Sequence, residues 1–238
     1  MNRLDGVRIA LTRPDAGELG DRLGDLGATV VHVPLIEIGD AADGGAALGE
    51  ALARLGEFDW LVVTSANGAH RVGAAARRHP AVRLAAVGPT SAATLATGAG
   101  RPVDLVPTVA RAEGLLAEFP PAPVAVLLVQ ADRARRLLAD GLERVGHRVE
   151  SVTAYRTVSR RPTPDELEQL RSVDGVVFAS GSAVAGWVDA LGTVVPSVVV
   201  ALGPVTADAA RSRGISVTHV ADAPEAAAVA DLLVAAFA

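Results

Sequence analysis

Short apolar runs alternate with amphipathic stretches along almost the whole chain. The runs Val7–Leu11, Ala28–Val33, Leu61–Val63, Leu84–Val87, Val124–Val129, Val149–Val152, Val176–Phe178, Val198–Leu202 and Ser216–Val220 predict strands, as does Asp104–Val106. Apolar residues at helical spacing predict helices over 16–26, 46–55, 68–78, 90–97, 112–119 and 134–145, and from 165, 206 and 224 onward. In the first of these, leucines at 19, 23 and 26 share one face, and Gly27 stands where a left-handed C′ residue would end the helix. Unbroken runs such as Leu61–Val62–Val63 suit strands covered on both faces, which is the condition of a parallel sheet. Strand and helix in strict alternation, joined by right-handed crossovers, give an α/β fold with doubly wound parallel sheets.

The pattern repeats. Asp59, the run Leu61–Val63 and the polar Thr64–Ser65–Ala66–Asn67 return 115 positions later as Asp174, Val176–Phe178 and Ala179–Ser180–Gly181–Ser182. Val87–Gly88–Pro89–Thr90–Ser91 returns at the same offset as Leu202–Gly203–Pro204–Val205–Thr206. Gly146 and Val149–Val152 likewise match Gly27 and Val30–Val33. An internal duplication of this kind predicts two lobes. Pro34–Leu35–Ile36–Glu37–Ile38 and Thr153–Ala154–Tyr155–Arg156–Thr157–Val158 occupy corresponding places and read as extended connectors. The expected division is a discontinuous lobe of residues 1–33 and 160–238, a lobe of residues 41–152, and a two-stranded connector of 34–40 and 153–159.

Composition removes many chemistries. All 22 basic residues are arginine, so Schiff-base chemistry, a lysine base and a P-loop lysine are absent. There is no cysteine, hence no thiolate nucleophile, no disulfide and no thioether-linked cofactor. The five histidines show no metal-ligand spacing, and His70 and His147 read as surface helix residues. Aromatics make up 3% of the chain and the net charge is −5, which argues against a nucleic-acid platform. No apolar signal region opens the chain and no run has the length of a membrane span, so a cytoplasmic protein without membrane contact is expected.

What remains at the strand ends is small, hydroxylic or cationic: Thr12–Arg13, Thr64–Asn67, Gly88–Ser91, Ala131–Arg133, Ser180–Ser182 and Gly203–Thr206. No Ser/His/Asp set, carboxylate pair or GxGxxG loop is present among them. Hydroxyls and helix-opening N–H groups suit a ligand carrying several carboxylates or phosphates. The same hydroxyls are good N-caps, and Arg13 and Arg133 also fit as solvated surface charges. Tyr155, the only tyrosine, lies in a connector, where it either packs or donates a proton. Two classes other than an enzyme fit these residues: a two-lobed binding or sensor protein for a small polyanion, and a nucleotide-dependent regulator.

The ordered set Leu11–Thr12–Arg13–Pro14, Pro34–Leu35–Ile36, Phe58–Asp59–Trp60 through Ser65–Ala66–Asn67–Gly68, Ala86–Val87–Gly88–Pro89–Thr90–Ser91, Ala154–Tyr155–Arg156–Thr157, Phe178–Ala179–Ser180 and Leu202–Gly203–Pro204 resembles uroporphyrinogen-III synthase over essentially the whole length. The resemblance implies two α/β lobes joined by a two-stranded ladder and a hydro-lyase that uses no metal or organic cofactor. It implies closure of the linear tetrapyrrole hydroxymethylbilane with inversion of its last ring and loss of water, in a monomer that contacts hydroxymethylbilane synthase transiently. On the family pattern Tyr155 is the candidate acid. Thr64, Ser65, Asn67, Gly88, Thr90, Ser91, Ser180, Gly181, Ser182 and Thr206 would hold the acetate and propionate groups, with Arg13 and Arg133 adding charge. One position departs from symmetry: Ala179 stands where the first copy has Thr64, so the two rims are not equivalent.

Overall fold

The structure is a computed structural model that describes residues 3–238. The chain divides into two compact units, Met1–Ile38 with Val158–Ala238, and Gly39–Thr157. It opens with β1 (Arg8–Leu11), α1 (Gly17–Asp25), β2 (Thr29–His32) and β3 (Ile36–Asp40). There follow α2 (Ala46–Ala53), β4 (Trp60–Val63), α3 (Ala66–Arg78), β5 (Arg83–Ala86), α4 (Pro89–Ala99), α5 (Ala112–Glu118), β6 (Ala125–Ala131), α6 (Leu137–Arg144) and β7 (Arg148–Ser159). The remainder is α7 (Pro164–Arg171), β8 (Gly175–Phe178), α8 (Gly181–Leu191), β9 (Val198–Ala201), α9 (Pro204–Arg211), β10 (His219–Val220) and α10 (Ala226–Ala236).

One sheet has the order β10-β9-β8-β1-β2 and the other β3-β7-β6-β4-β5. In the first, β1 pairs in parallel with β2 and β8, and β8 and β10 with β9. In the second, β4 pairs in parallel with β5 and β6, and β6 with β7. Beyond β5, Leu105 makes a single parallel bridge to Ala85. Aligning the duplicated segments, β7-β6-β4-β5-Leu105 therefore matches β2-β1-β8-β9-β10 strand for strand. Both sheets reverse their winding at one place, between β1 and β8 in the first and between β6 and β4 in the second. That is the topological switch point at which open α/β sheets bind ligands.

The central strands explain themselves by burial. Every residue of β4, β8 and β9 is buried, so helices cover both faces. In the first sheet Ile9, Leu11 and Val177 pack with Leu19, Leu23, Val229 and Leu233 on one side. On the other side Ala10, Val176 and Phe178 pack with Val184 and Trp187. The Phe178 and Trp187 rings meet edge to face at 5.6 Å, and the indole N–H donates to the Val194 carbonyl at 2.9 Å. In the second sheet Trp60, Val62 and Leu128 pack with Leu115, Phe119, Leu138 and Leu142.

The echoed aspartates now have a physical role. The Arg8 N–H donates to Asp174 Oδ2 at 2.8 Å, and the Ala125 N–H donates to Asp59 Oδ2 at 2.7 Å. Each carboxylate ties the two switch-point strands together at their amino ends. The glycines that close α1 and α6 also correspond, Gly27 at φ +93° and Gly146 at φ +98°.

Some elements differ from the sequence pattern. Residues 104–106 contribute only the bridge at Leu105, and the expected strand 216–220 contributes only His219–Val220. The segment after β6 stays non-helical until Leu137 instead of entering a helix at 134. The apolar run Val149–Val152 and the extended segment that follows it form one strand, β7, which runs unbroken for 12 residues from Arg148 to Ser159. His147 is a correction. It is 5% exposed, it follows Gly146 after the end of α6, and its Nδ1 accepts the Val124 N–H at 3.2 Å. Its ring meets Phe119 edge to face, and burial holds the imidazole below its ordinary range against a weaker opposite pull from the Pro120 carbonyl. Among the described residues no helix is long and apolar enough to cross a membrane.

Candidate active site

At the carboxyl end of β4 the chain leaves the sheet at Thr64, whose N–H still donates to the Val129 carbonyl of β6 at 3.3 Å. Ser65 is extended (φ −154°, ψ 158°) and caps α3, its Oγ accepting the Gly68 N–H at 3.1 Å. The same oxygen accepts the Tyr155 phenol at 3.0 Å. Tyr155 reaches it from β7, where the pairing with β6 slips by one residue: Gln130 faces Thr153 but Ala131 faces Tyr155. Ala154 is thus the extra residue of a bulge, a device that re-aims the side chains beside it. The Asp132 N–H then donates to the Tyr155 carbonyl at 3.0 Å, fixing the backbone on both sides of the phenol-bearing residue. Tyr155 is 7% exposed. Three strands therefore converge on one hydroxyl pair at the switch point of this unit.

Around that pair, Asn67 is exposed in the first turn of α3 and Thr64 is half-buried. Gly88 is the extended N-cap of α4, with Pro89 supplying a first helical residue that has no N–H to leave unsatisfied. Thr90 is exposed, and its carbonyl accepts the Thr94 hydroxyl at 2.9 Å. Ser91 is buried. The Arg133 side chain is 84% exposed and lies 3.9 Å from Asp132, a loose pairing that leaves the guanidinium largely to solvent.

The other unit carries the duplicated version. Ser180 is extended (φ −160°, ψ 161°), and its Oγ accepts the Ala183 N–H at 3.2 Å to cap α8. Gly181 opens α8 where an added Cβ would stand 3.0 Å from Ala209, so close packing of α8 on α9 selects glycine there. Ser182 is half-buried beside it. Thr206 is buried in the first turn of α9, as its counterpart Ser91 is in α4. After β1, Thr12 is fully buried and Arg13 half-buried, with the Arg13 carbonyl bonded to His32 Nε2 at 2.9 Å.

Each of these two segments thus combines helix-opening N–H groups with short hydroxylic side chains, a combination whose chemistry suits anionic groups. Within Gly39–Thr157 the structure brings Tyr155 and Ser65 into contact; among the described residues no tyrosine accompanies Ser180. The Tyr155–Ser65 contact joins residues 90 positions apart and depends on a bulge, so no spacing in the chain announces it. His70 is exposed on α3, as its helical pattern implies. Among the described residues no cluster of three His, Asp or Glu side chains is arranged to hold a metal ion.

The family model described as uroporphyrinogen-III synthase HemD matches residues 17–231. The chain belongs to this family. A uroporphyrinogen-III synthase of Synechococcus elongatus is 31% identical over 175 residues, 68% of this chain and 65% of the relative's length. Among solved structures, a mutant uroporphyrinogen III synthase from Thermus thermophilus aligns with a TM-score of 0.65 at 19% identity, covering 98% of each chain. Uroporphyrinogen-III synthetase from Helicobacter pylori aligns at 0.66 and 15% identity, covering 97% of this chain and 99% of its own. At those identities the two structures speak for the fold, and the match along residues 17–231 carries the family.

Proposed function

We propose that the chain is a uroporphyrinogen-III synthase, a hydro-lyase that closes hydroxymethylbilane with inversion of ring D. Family membership supports the reaction class, and the hydrogen-bonded Tyr155–Ser65 pair at the switch point is the observation that gives it a proton donor. The chemistry starts with loss of hydroxide from the hydroxymethyl carbon of ring A. The Tyr155 phenol donates to the departing oxygen, the C–O bond breaks with its electron pair on oxygen, and water leaves. The cationic azafulvene that remains is attacked by the substituted carbon of ring D to give a spiro intermediate, which fragments and recloses. Unassisted closure joins the unsubstituted carbon, so the protein's larger task is to hold the chain where the substituted carbon is nearer.

Holding falls to the rims. Thr64, Ser65, Asn67, Gly88, Thr90 and Ser91 in one unit, and Ser180, Gly181, Ser182 and Thr206 in the other, bind acetate and propionate groups through hydroxyls and first-turn N–H groups. Ser91 and Thr206 are buried, and the Ser65 hydroxyl is engaged by the Gly68 N–H and the Tyr155 phenol, so the backbone N–H groups of these three residues serve better than their hydroxyls. Arg13 and Arg133 pair with carboxylates, a local attraction that the net charge of −5 does not supply. We further propose the lobe division 1–33 with 160–238 against 41–152, with 34–40 and 153–159 as a two-stranded connector; adjacency of β3 and β7 in one sheet supports it. The protein is proposed to act as a cytoplasmic monomer without a cofactor, meeting hydroxymethylbilane synthase only transiently.

The test of the acid is Tyr155→Phe with freshly made hydroxymethylbilane. The variant keeps the ring and loses the proton, so kcat falls by about 100-fold or more while KM changes little. Unchanged turnover would remove Tyr155 from the chemistry.

A further inference from the structure

Ser65 and Ser180 are copies of one residue in a duplicated segment, 115 positions apart, and their backbones and cap bonds are nearly identical. Capping accounts for everything the structure shows at Ser180. It does not account for Ser65, whose oxygen takes a second donor, the phenol of Tyr155, while it still holds the Gly68 N–H. A hydroxyl accepts through two lone pairs and donates through one proton. With both acceptor sites of Ser65 occupied, its own proton remains to be given.

We propose that Ser65 is a positioning residue that couples the Tyr155 phenol to the amino end of α3 and stabilises the phenolate formed during catalysis. The inference rests on Tyr155 being the acid. In the resting protein Tyr155 donates to Ser65. When the phenol proton passes to the departing hydroxyl and water leaves, the Ser65 hydroxyl turns its proton onto the phenolate oxygen. The Gly68 N–H, one of the first N–H groups of a 13-residue helix, keeps its bond to Ser65 Oγ and makes that hydroxyl a better donor. As the macrocycle closes, the pyrrole carbon that formed the new bond loses its proton, which returns to Tyr155 and restores the starting arrangement. Charged or titratable side chains are carried by α3 (His70, Arg71, Arg77, Arg78), by the turn after β6 (Asp132, Arg133), by β7 (Arg148, Glu150, Arg156) and by β3 (Glu37, Asp40). Arg71 is paired with Asp40 at 2.8 Å, and the phenol's one hydrogen-bond partner among the described residues is Ser65.

Because Tyr155 is the only tyrosine, phenolate absorbance reports this one group in the intact protein, with no need for substrate. Ser65→Ala and Ser65→Gly remove the hydroxyl; glycine is itself a tolerated N-cap and serves if the alanine variant fails to fold. Both variants lose the donor that faces the phenolate, so they are expected to need a higher pH than the wild type before phenolate absorbance appears. Ser65→Thr, which keeps the oxygen, should restore the wild-type midpoint. Ser180→Ala, which loses the matching cap bond without a phenol on it, should leave the midpoint in place. In turnover, Ser65→Ala should lower kcat about tenfold with a smaller change in KM, and should move the alkaline limb of the rate profile upward together with the absorbance midpoint. A folded Ser65→Gly or Ser65→Ala protein that titrates like the wild type overturns the inference, even if it is less active. The acid assignment fails separately, through an active Tyr155→Phe protein, whatever the titration shows.

Discussion

At the scale of single residues, the duplication separates what a side chain does for the fold from what it does for the site. Asp59 and Asp174 are a matched structural pair: each carboxylate accepts one backbone N–H across the switch point and has no neighbour that needs chemistry. Replacing either with alanine leaves a backbone N–H without its charged acceptor, and each variant should lose about 1–2 kcal/mol in urea unfolding, with asparagine losing less. A loss in one and none in the other would break the equivalence. Ser65 and Ser180 are matched as caps but not as neighbours of a phenol. Sequence reading finds both pairs at the offset of 115 but cannot rank them, because identical residue types at identical spacing carry identical local physics. The difference enters through Tyr155, which belongs to another strand. Its placement depends on the Gln130/Ala131 slip, a tertiary feature with no local signature.

At the scale of elements, α3 and α4 pack with unusual closeness. A Cβ built on Gly73 would lie 2.7 Å from Gly98 Cα, so the two glycines face each other where the helices meet. Gly73→Ala must push backbone away from backbone and should cost roughly 1–3 kcal/mol. Gly49, in the exposed middle of α2, has nothing within 4 Å of an added Cβ, and Gly49→Ala should stabilise by about 0.5–1 kcal/mol. Chemical denaturation of the two variants checks both signs. The helical pattern located α3 and α4 to within two residues at most ends, but it reads glycine as a weak helix former and says nothing of a partner. Strand ends at the sheet margin were the least legible. Leu105 and β10 pair with one neighbour each, and a single ladder holds a shorter extended run than the apolar pattern suggests.

Also at this scale, α7 is anchored by charge. Arg160 donates to both carboxylate oxygens of Glu166, at 2.7 and 2.9 Å, and to the Pro34 carbonyl at 2.9 Å. Glu166 in turn completes a capping box with Thr163. The Arg160 hydrogen bond, and after it the Thr163 N–H, hold the Glu166 carboxyl below its ordinary value of 4.5. A carboxyl held low binds fewer protons folded than unfolded in the acid range. Its contribution is complete above its ordinary value and is lost as the pH falls through the folded one. Glu166→Gln keeps the capping geometry and removes the charge. Both side chains are about a quarter exposed, which trims the pair's worth, so the variant should be less stable by about 1 kcal/mol at pH 7. The gap to wild type should close as the pH is lowered below 4. A gap that widened in acid would reverse the sign of the argument.

At the scale of the whole molecule, the two sheets are the same five-position arrangement built from segments that interleave in the chain. The N-terminal strands β1 and β2 complete the sheet of β8, β9 and β10, while their copies β6 and β7 complete the sheet of β4 and β5. This was legible, because repeats at nearly constant offset, 115 to 119 positions, survive divergence of individual residues and parallel order follows from alternation. The candidate residues were legible as strand ends and caps, while the Tyr155–Ser65 hydrogen bond was not. The proposed activity turns on which carbon of ring D is attacked, so one measurement decides it. Freshly made hydroxymethylbilane is supplied to the purified protein, and the oxidised products are separated into type I and type III uroporphyrin. A type III product should grow with protein concentration and fall sharply with Tyr155→Phe. Type I alone, from folded protein, would contradict the proposed activity.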